Sequence, residues 1–222
     1  MSSIFRKARA GYKNEEILYL LRSGSMEVDA RDATSGRYLL HEAAAYGNDS
    51  LIDSLVTEFA ADLHQKTYLG GDTPLHLAVS SDSKSTVSLL LRYGADPNVQ
   101  NRYMCTPLHY ACSKDVALKL HENDGSALTK NSSNETPLET SRRRLSRVSI
   151  NLSKESCEII DALKWIEEEQ KNRMTTAQLQ LCSEEKLARL EALTLRKAAE
   201  KEEKAVLSKQ QTLSDYVSYR NR

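Results

Sequence analysis

No glycine follows Gly125 and no proline follows Pro137 in this chain of 222 residues. These two residues are the strongest interrupters of regular structure. Their loss predicts long helix after Pro137, behind a first part punctuated at intervals. Cysteine is scarce: Cys105, Cys112, Cys157 and Cys182 stand far apart and form no CxxC pair. That argues against a zinc site and for free thiols in a reducing compartment. No run approaches the ~18 apolar residues of a membrane span, and the start, MSSIFRKARAG, lacks the apolar stretch of a secretory signal. A cytoplasmic location and no membrane partner are therefore expected. Neither sign of charge is in excess: 31 Lys and Arg meet 31 Asp and Glu, so no global field favours nucleic acid. The motifs GxxxxGK, GxGxxG, HExxH and GxSxG are absent. The His, Cys and acidic residues have no spacing suited to nucleophilic or metal chemistry, so neither catalysis nor a cofactor is expected.

What is present is a repeat. Pro74, Pro107 and Pro137 each sit in Thr-Pro-Leu, and Pro97 follows Gly-Ala-Asp. Thr73-Pro74-Leu75-His76-Leu77-Ala78 recurs 33 positions on as Thr106-Pro107-Leu108-His109-Tyr110-Ala111. A worn copy, Tyr38-Leu39-Leu40-His41-Glu42-Ala43, lies 35 positions earlier, and Thr136-Pro137-Leu138-Glu139 lies 30 later. The chemistry suits helix starts. Thr at the N-cap accepts from orphan amides, and Pro at the first helical position sacrifices no hydrogen bond. Leu75 and Leu108 point inward, and Ala78 and Ala111 are small enough for close helix approach. His76 and His109 are read as bridges between backbone groups of neighbouring turns. Gly94 ends a helix in the left-handed region, and Asp96 and Asn98 suit the turn that follows.

The period, the TPLH boxes and the run Leu89-Leu90-Leu91-Arg92-Tyr93-Gly94-Ala95-Asp96-Pro97-Asn98 resemble the ankyrin-repeat family. The resemblance covers roughly residues 2–150. It implies an all-α solenoid of helix-turn-helix repeats with short hairpin loops; the remainder without glycine or proline is read as long C-terminal helices. Repeats are placed at 2–34, 35–69, 70–102 and 103–132, with a partial one at 133–150. The first is a cap without TPLH, with Ile4, Ala8 and Gly11 in register and Ile17, Leu18, Leu20 and Leu21 on its second helix. Repeat three is the most regular, except for Asp82 where glycine is usual. Repeat four is short, and its second helix, Val116 to Leu120, is expected to lose a turn. The fifth is expected to leave the pattern after Ser141.

Ankyrin-like stacks bind proteins through hairpin tips and the inner-helix face. By that resemblance the candidate contacts on the tips are Arg37, Tyr68, Leu69, Arg102, Tyr103 and Met104. On the inner helices they are Glu42, Tyr46, Tyr110 and Lys114. Tyr, Met and Arg are also the types enriched at interface cores. The run Arg142-Arg143-Arg144 ahead of Ser146 resembles the substrate pattern of basophilic kinases. It is read as a basic loop facing Glu167–Glu169, in which a phosphate would pair with the adjacent arginines.

Beyond it, residues 151–222 form a helical extension. Ser153 is a candidate N-cap, and Ile159, Leu163 and Ile166 recur at helical spacing, a stripe suited to closing the last repeat. Trp165 falls off that stripe, either tucked under the basic loop or free to anchor a partner. Thr175-Thr176 is read as a kink, with a second helix over 177–211. Its heptad positions are not consistently apolar, so a coiled coil with a second copy stays one option beside docking or a frayed end. The leading expectation is a non-enzymatic adaptor or scaffold for protein partners, with self-association through the tail as a further option. A structural part of a cytoskeletal or axonemal (ciliary) assembly is the alternative, and a regulatory or inhibitory subunit of an enzyme or transcription factor the second.

Overall fold

A computed structural model describes residues 2–10, 14–33, 35–147 and 156–177. The chain divides into two compact units, Met1–Lys171 and Asn172–Arg222. The first is built from antiparallel helix pairs: α1 (Ser2–Ala10) with α2 (Asn14–Arg22), α3 (Leu39–Ala45) with α4 (Asp49–Thr57), and α5 (Pro74–Ser80) with α6 (Lys84–Arg92). A 3-10 turn (Pro107–Tyr110) then precedes α7 (Lys114–Glu122), and α8 (Pro137–Arg147) precedes α9 (residues 156–171). Among the described residues there is no strand, only an isolated antiparallel bridge between Arg31 and Tyr38.

The core follows the repeat. Phe5, Leu40, Leu75, Leu108 and Leu138 are buried one above another in register. Beside them run Ala8, Ala43, Ala78, Ala111 and Ser141, all fully buried, where any larger side chain would push the helices apart. The second helices add Ile17, Ile52, Val87, Val116 and Leu120 to the same cluster. Fully burying one such side chain contributes about 1.5–3 kcal/mol, and no single pair of short helices could do it alone.

The histidines form a column. His41 donates through Nε2 to the carbonyl of Asp72 (2.9 Å), His76 to Cys105 (3.0 Å) and His109 to Glu135 (3.2 Å). Each carbonyl belongs to the residue just before the next repeat's N-cap. Nδ1 faces backward: it accepts from the backbone N–H of Thr73 in one repeat and Thr106 in the next. Burial pushes all three rings below the ordinary imidazole value, His41 to about 4, so they stay neutral and hold this tautomer. In repeat two Tyr38 stands at the cap, and the buried Nδ1 of His41 has no partner. In the last pair Glu139 replaces the histidine and its carboxylate accepts from Thr136 N–H at 2.8 Å.

Two sequence expectations need correction. The second helix of repeat four is not trimmed: α7 has nine residues, like α4 and α6. The shortening falls on the first helix. Thr73 and Ser83 cap α5 and α6 ten positions apart, whereas Thr106 and Ser113 cap the 3-10 turn and α7 seven apart. Three residues are missing, and the tighter turn takes the place of a two-turn helix. Nor is the arginine run a loop. Residues 142–147 continue α8, because nothing between Pro137 and Arg147 breaks a helix. Arg143 pairs with Glu135 (2.8 Å), while Glu169 meets His121 (2.8 Å) and Glu167 meets Lys171.

The tail helix packs through Ile159, Ala162, Leu163 and Ile166, all buried. Gln170 reads the end of α7: its Oε1 accepts from Ala127 N–H and its Nε2 donates to the Gly125 carbonyl, both at 2.8 Å. So α9 covers α7 as the second helix of a further repeat would. In the second unit residues 172–177 are helical, and the Thr176 hydroxyl donates to the Asn172 carbonyl (2.9 Å), so Thr175-Thr176 makes no break. The candidate cap Ser153 and the helix expected after residue 177 lie outside the described residues, as does the candidate coiled coil within it.

Candidate protein-binding surface

Each hairpin between repeats turns through a left-handed residue, and the position repeats: Gly36 (φ +65), Gly71 (φ +70), Met104 (φ +56) and Asn134 (φ +61). Glycine adopts this backbone freely, whereas a long side chain is strained there. Adjacent tips are tied by backbone hydrogen bonds, Tyr68 N–H to Gly36 (3.2 Å), Arg102 N–H to Gly70 (3.0 Å) and Ser132 N–H to Tyr103 (2.9 Å). Asn101 braces the tip beneath: its Oδ1 accepts from Tyr103 and Cys105 N–H, and its Nδ2 donates to Asp72 and to the Tyr110 hydroxyl. Outward side chains are thereby mounted on a rigid frame.

Tyr68, Leu69, Tyr103 and Met104 are all large, apolar or aromatic, and exposed by 49–67% on two successive tips. Arg102 and Arg31 hold their guanidinium carbons 5.7 and 5.1 Å from the Tyr68 ring centre. This clustering, unlike singly exposed residues, is what makes the two tips the candidate surface.

The other candidates divide. Glu42 is fully buried, its carboxylate held by Arg9 (2.8 and 3.1 Å) with Arg37 3.9 Å away, so it offers a partner nothing. The expectation that it faces outward fails because a carboxylate inside a helix stack must be paired. Arg37 is half-buried toward the same group. Tyr110 is half-buried; burial first of all pushes its hydroxyl up to about 12, and its role is to brace Asn101. Tyr46 is 56% exposed on the inner face, with Arg9 5.9 Å from its ring. Lys114 and Trp165 meet elsewhere, around a groove of about 400 Å3 with Leu118, Glu158, Asp161 and Ala162. Trp165 stands 54% exposed, its ring edge-on to His121 at 5.8 Å. Ser146 is exposed on the last turn of α8 and donates to the Arg143 carbonyl (2.9 Å). Arg144 turns away from it, to the carbonyls of Tyr110 and Ala111.

The reading of residue types overlooked Arg31 and Lys66. Both lie seven positions before an N-cap, Tyr38 and Thr73, and that shared repeat position is the signal that marks them. Among the described residues no group of His, Cys, Asp and Glu is arranged to hold a metal, and no helix is long and apolar enough to cross a membrane.

A family model of ankyrin repeats (three copies) matches residues 5–101 and 40–132, more than half of the chain. The chain belongs to the ankyrin-repeat family, whose repeats generally mediate protein–protein interaction. It is 43% identical over 84 residues to the nuclear factor NF-kappa-B p105 subunit of Mus musculus, covering 38% of this chain and 8% of that one. It is 39% identical over 94 residues to human BCL-6 corepressor-like protein 1, covering 42% and 5%. A third relative, human transient receptor potential cation channel subfamily A member 1, is 36% identical over 74 residues, covering 33% and 7%. The chain thus spans under a tenth of each of these proteins.

Proposed function

We propose that this chain is a non-enzymatic adaptor whose hairpin tips Tyr68-Leu69 and Arg102–Met104 hold a partner protein. The groove beside Trp165 is a second contact. The observation that carries the reading is Met104. A bulky apolar side chain, 49% exposed, occupies the left-handed position that Gly36 and Gly71 fill on the preceding tips. Backbone strain of this kind persists where the side chain itself is used. The flanking aromatics and Arg102 match the residue types that dominate binding energy. Two separated surfaces suit an adaptor, and a cytoplasmic setting fits its free thiols.

The test is retention of the native partner by the full chain. Tyr103→Ala with Met104→Gly is expected to abolish it while the circular dichroism spectrum stays unchanged. Partner retention equal to that of the unsubstituted chain would refute the assignment of the tips.

A further inference from the structure

Resting on the tip reading, we infer that the recess beside those tips takes an acidic segment of the partner protein, seating a carboxylate or phosphoryl group between Arg31, Lys66 and Arg102.

Three successive hairpins each supply one cation to this place. The recess, about 430 Å3, is lined by Arg31, Tyr38, Lys66, Tyr68, Asn101 and Arg102. Several cations elsewhere are paired: Arg9 with Glu42, Arg22 with Glu58, Lys84 with Asp115, Lys119 with Glu122 and Arg143 with Glu135. Among the described residues no carboxylate lies within 4.0 Å of the side-chain nitrogens of Arg31, Lys66 or Arg102. The acids on the same hairpins are largely occupied. Asp72 accepts from Asn101 (2.7 Å), Asp29 from Gln65 (3.3 Å) and Asp32 from Ser35 (2.9 Å). In a chain of zero formal charge, three cations without carboxylates in one recess are a local excess.

Their geometry suits an anion. Arg31 and Arg102 lie against the same Tyr68 ring, which fixes both guanidinium groups while leaving N–H groups for an incoming ligand. Arg102 spends one donor on the Leu69 carbonyl (3.2 Å), and Lys66 spends one on the Gln100 carbonyl (2.8 Å). All three cations line the same recess. Carboxylate and phosphoryl oxygens accept such donors best, often two at a time. A protein segment is favoured over single-stranded nucleic acid. The recess offers only one or two rings for stacking, and the charge excess is confined to a few residues rather than a backbone-long groove.

The test uses the full chain and three labelled peptides of one Gly-Ser framework, carrying Glu, phosphoserine or Gln at the same positions, with oligouridine as a fourth probe. Fluorescence anisotropy is expected to show one or both acidic peptides binding at least about tenfold tighter than the Gln peptide, weakening severalfold from about 50 to about 300 mM NaCl. Which acidic peptide prevails tells carboxylate from phosphoryl. Arg31→Gln with Lys66→Gln, confirmed folded by an unchanged melting curve, is expected to remove most of that preference. Equal binding of the Gln peptide, indifference to the double substitution, or stronger binding of oligouridine would each overturn the inference. Partner retention separates its failure from that of the tip reading. If Arg31→Gln/Lys66→Gln keeps the native partner while Tyr103→Ala/Met104→Gly loses it, only the acidic-segment inference falls. If neither pair loses it, the tips themselves are wrong.

Discussion

The guanidinium of Arg144 on α8 donates hydrogen bonds to the carbonyl oxygens of Ala111 and Tyr110, on the pair before. Those carbonyls end the 3-10 turn of repeat four. A full first helix in their place would reach farther before leaving its last carbonyls open. The shortened turn ends early, and the next repeat supplies the missing donor.

From this contact, Arg144→Ala is expected to lower stability by about 1–2 kcal/mol, because the Ala111 carbonyl loses its donor and that of Tyr110 keeps only the weak Cys112 thiol (3.3 Å). Arg142, exposed on the same helix, serves as control: Arg142→Ala should stay within about 0.5 kcal/mol. Urea denaturation midpoints of the two variants decide it. Equal midpoints would show that Arg144 acts as an ordinary surface charge.

Met104→Gly is expected to raise stability by about 1 kcal/mol, since glycine removes the left-handed strain at φ +56. The same substitution should weaken partner binding. A thermal melt and a binding curve on one variant would show the two moving in opposite senses. A fall in melting temperature would mean that the Met104 side chain contributes more to the tip than its backbone costs.

The pH dependence follows from His41. The unfolded chain takes up a proton there near pH 6.5, the folded chain only at about 4. Between those values the unfolded state holds more protons, so stability falls as pH drops, by up to about 1.4 kcal/mol per pH unit for one site. His76 and His109, also pushed down by burial, act in the same direction. His41→Gln should make the acid limb of a stability–pH curve shallower over pH 4–6.5. An unchanged slope would show that His41 does not carry that linkage.

Closure by α9 is testable by Leu163→Ala, which removes a fully buried side chain and should cost about 2–5 kcal/mol. Because repeats contact only their neighbours, the loss should be local. Hydrogen exchange should quicken in α7 and α9 and stay near its original rate in α3 and α5. Uniform acceleration would mean that the stack unfolds as one unit.

Much of the fold is legible in the sequence. Thr-Pro-Leu marks the start of the first helical element in repeats three, four and five, because N-cap geometry and the proline ring act within one turn. The histidine bridges follow too, since the distance to the next N-cap is set by the period. The site is legible only in part. Tyr68, Leu69, Arg102, Tyr103 and Met104 fall on tips by register. Glu42 is misplaced, because nothing in its own repeat announces that Arg9, 33 positions earlier, sits over it. Arg31 is silent for the same reason: its significance is the Tyr68 ring of another hairpin.

The sequence by itself determined the stack of helix pairs, its period and its alanine and leucine columns, because those depend on local propensity and a repeated spacing. Only the tertiary structure decided which helix of repeat four gave way, where the arginines of α8 point, and how three hairpins bring unpaired cations to one recess. Those outcomes depend on which residues meet across repeats, and a linear pattern records spacing along the chain but not neighbours across it.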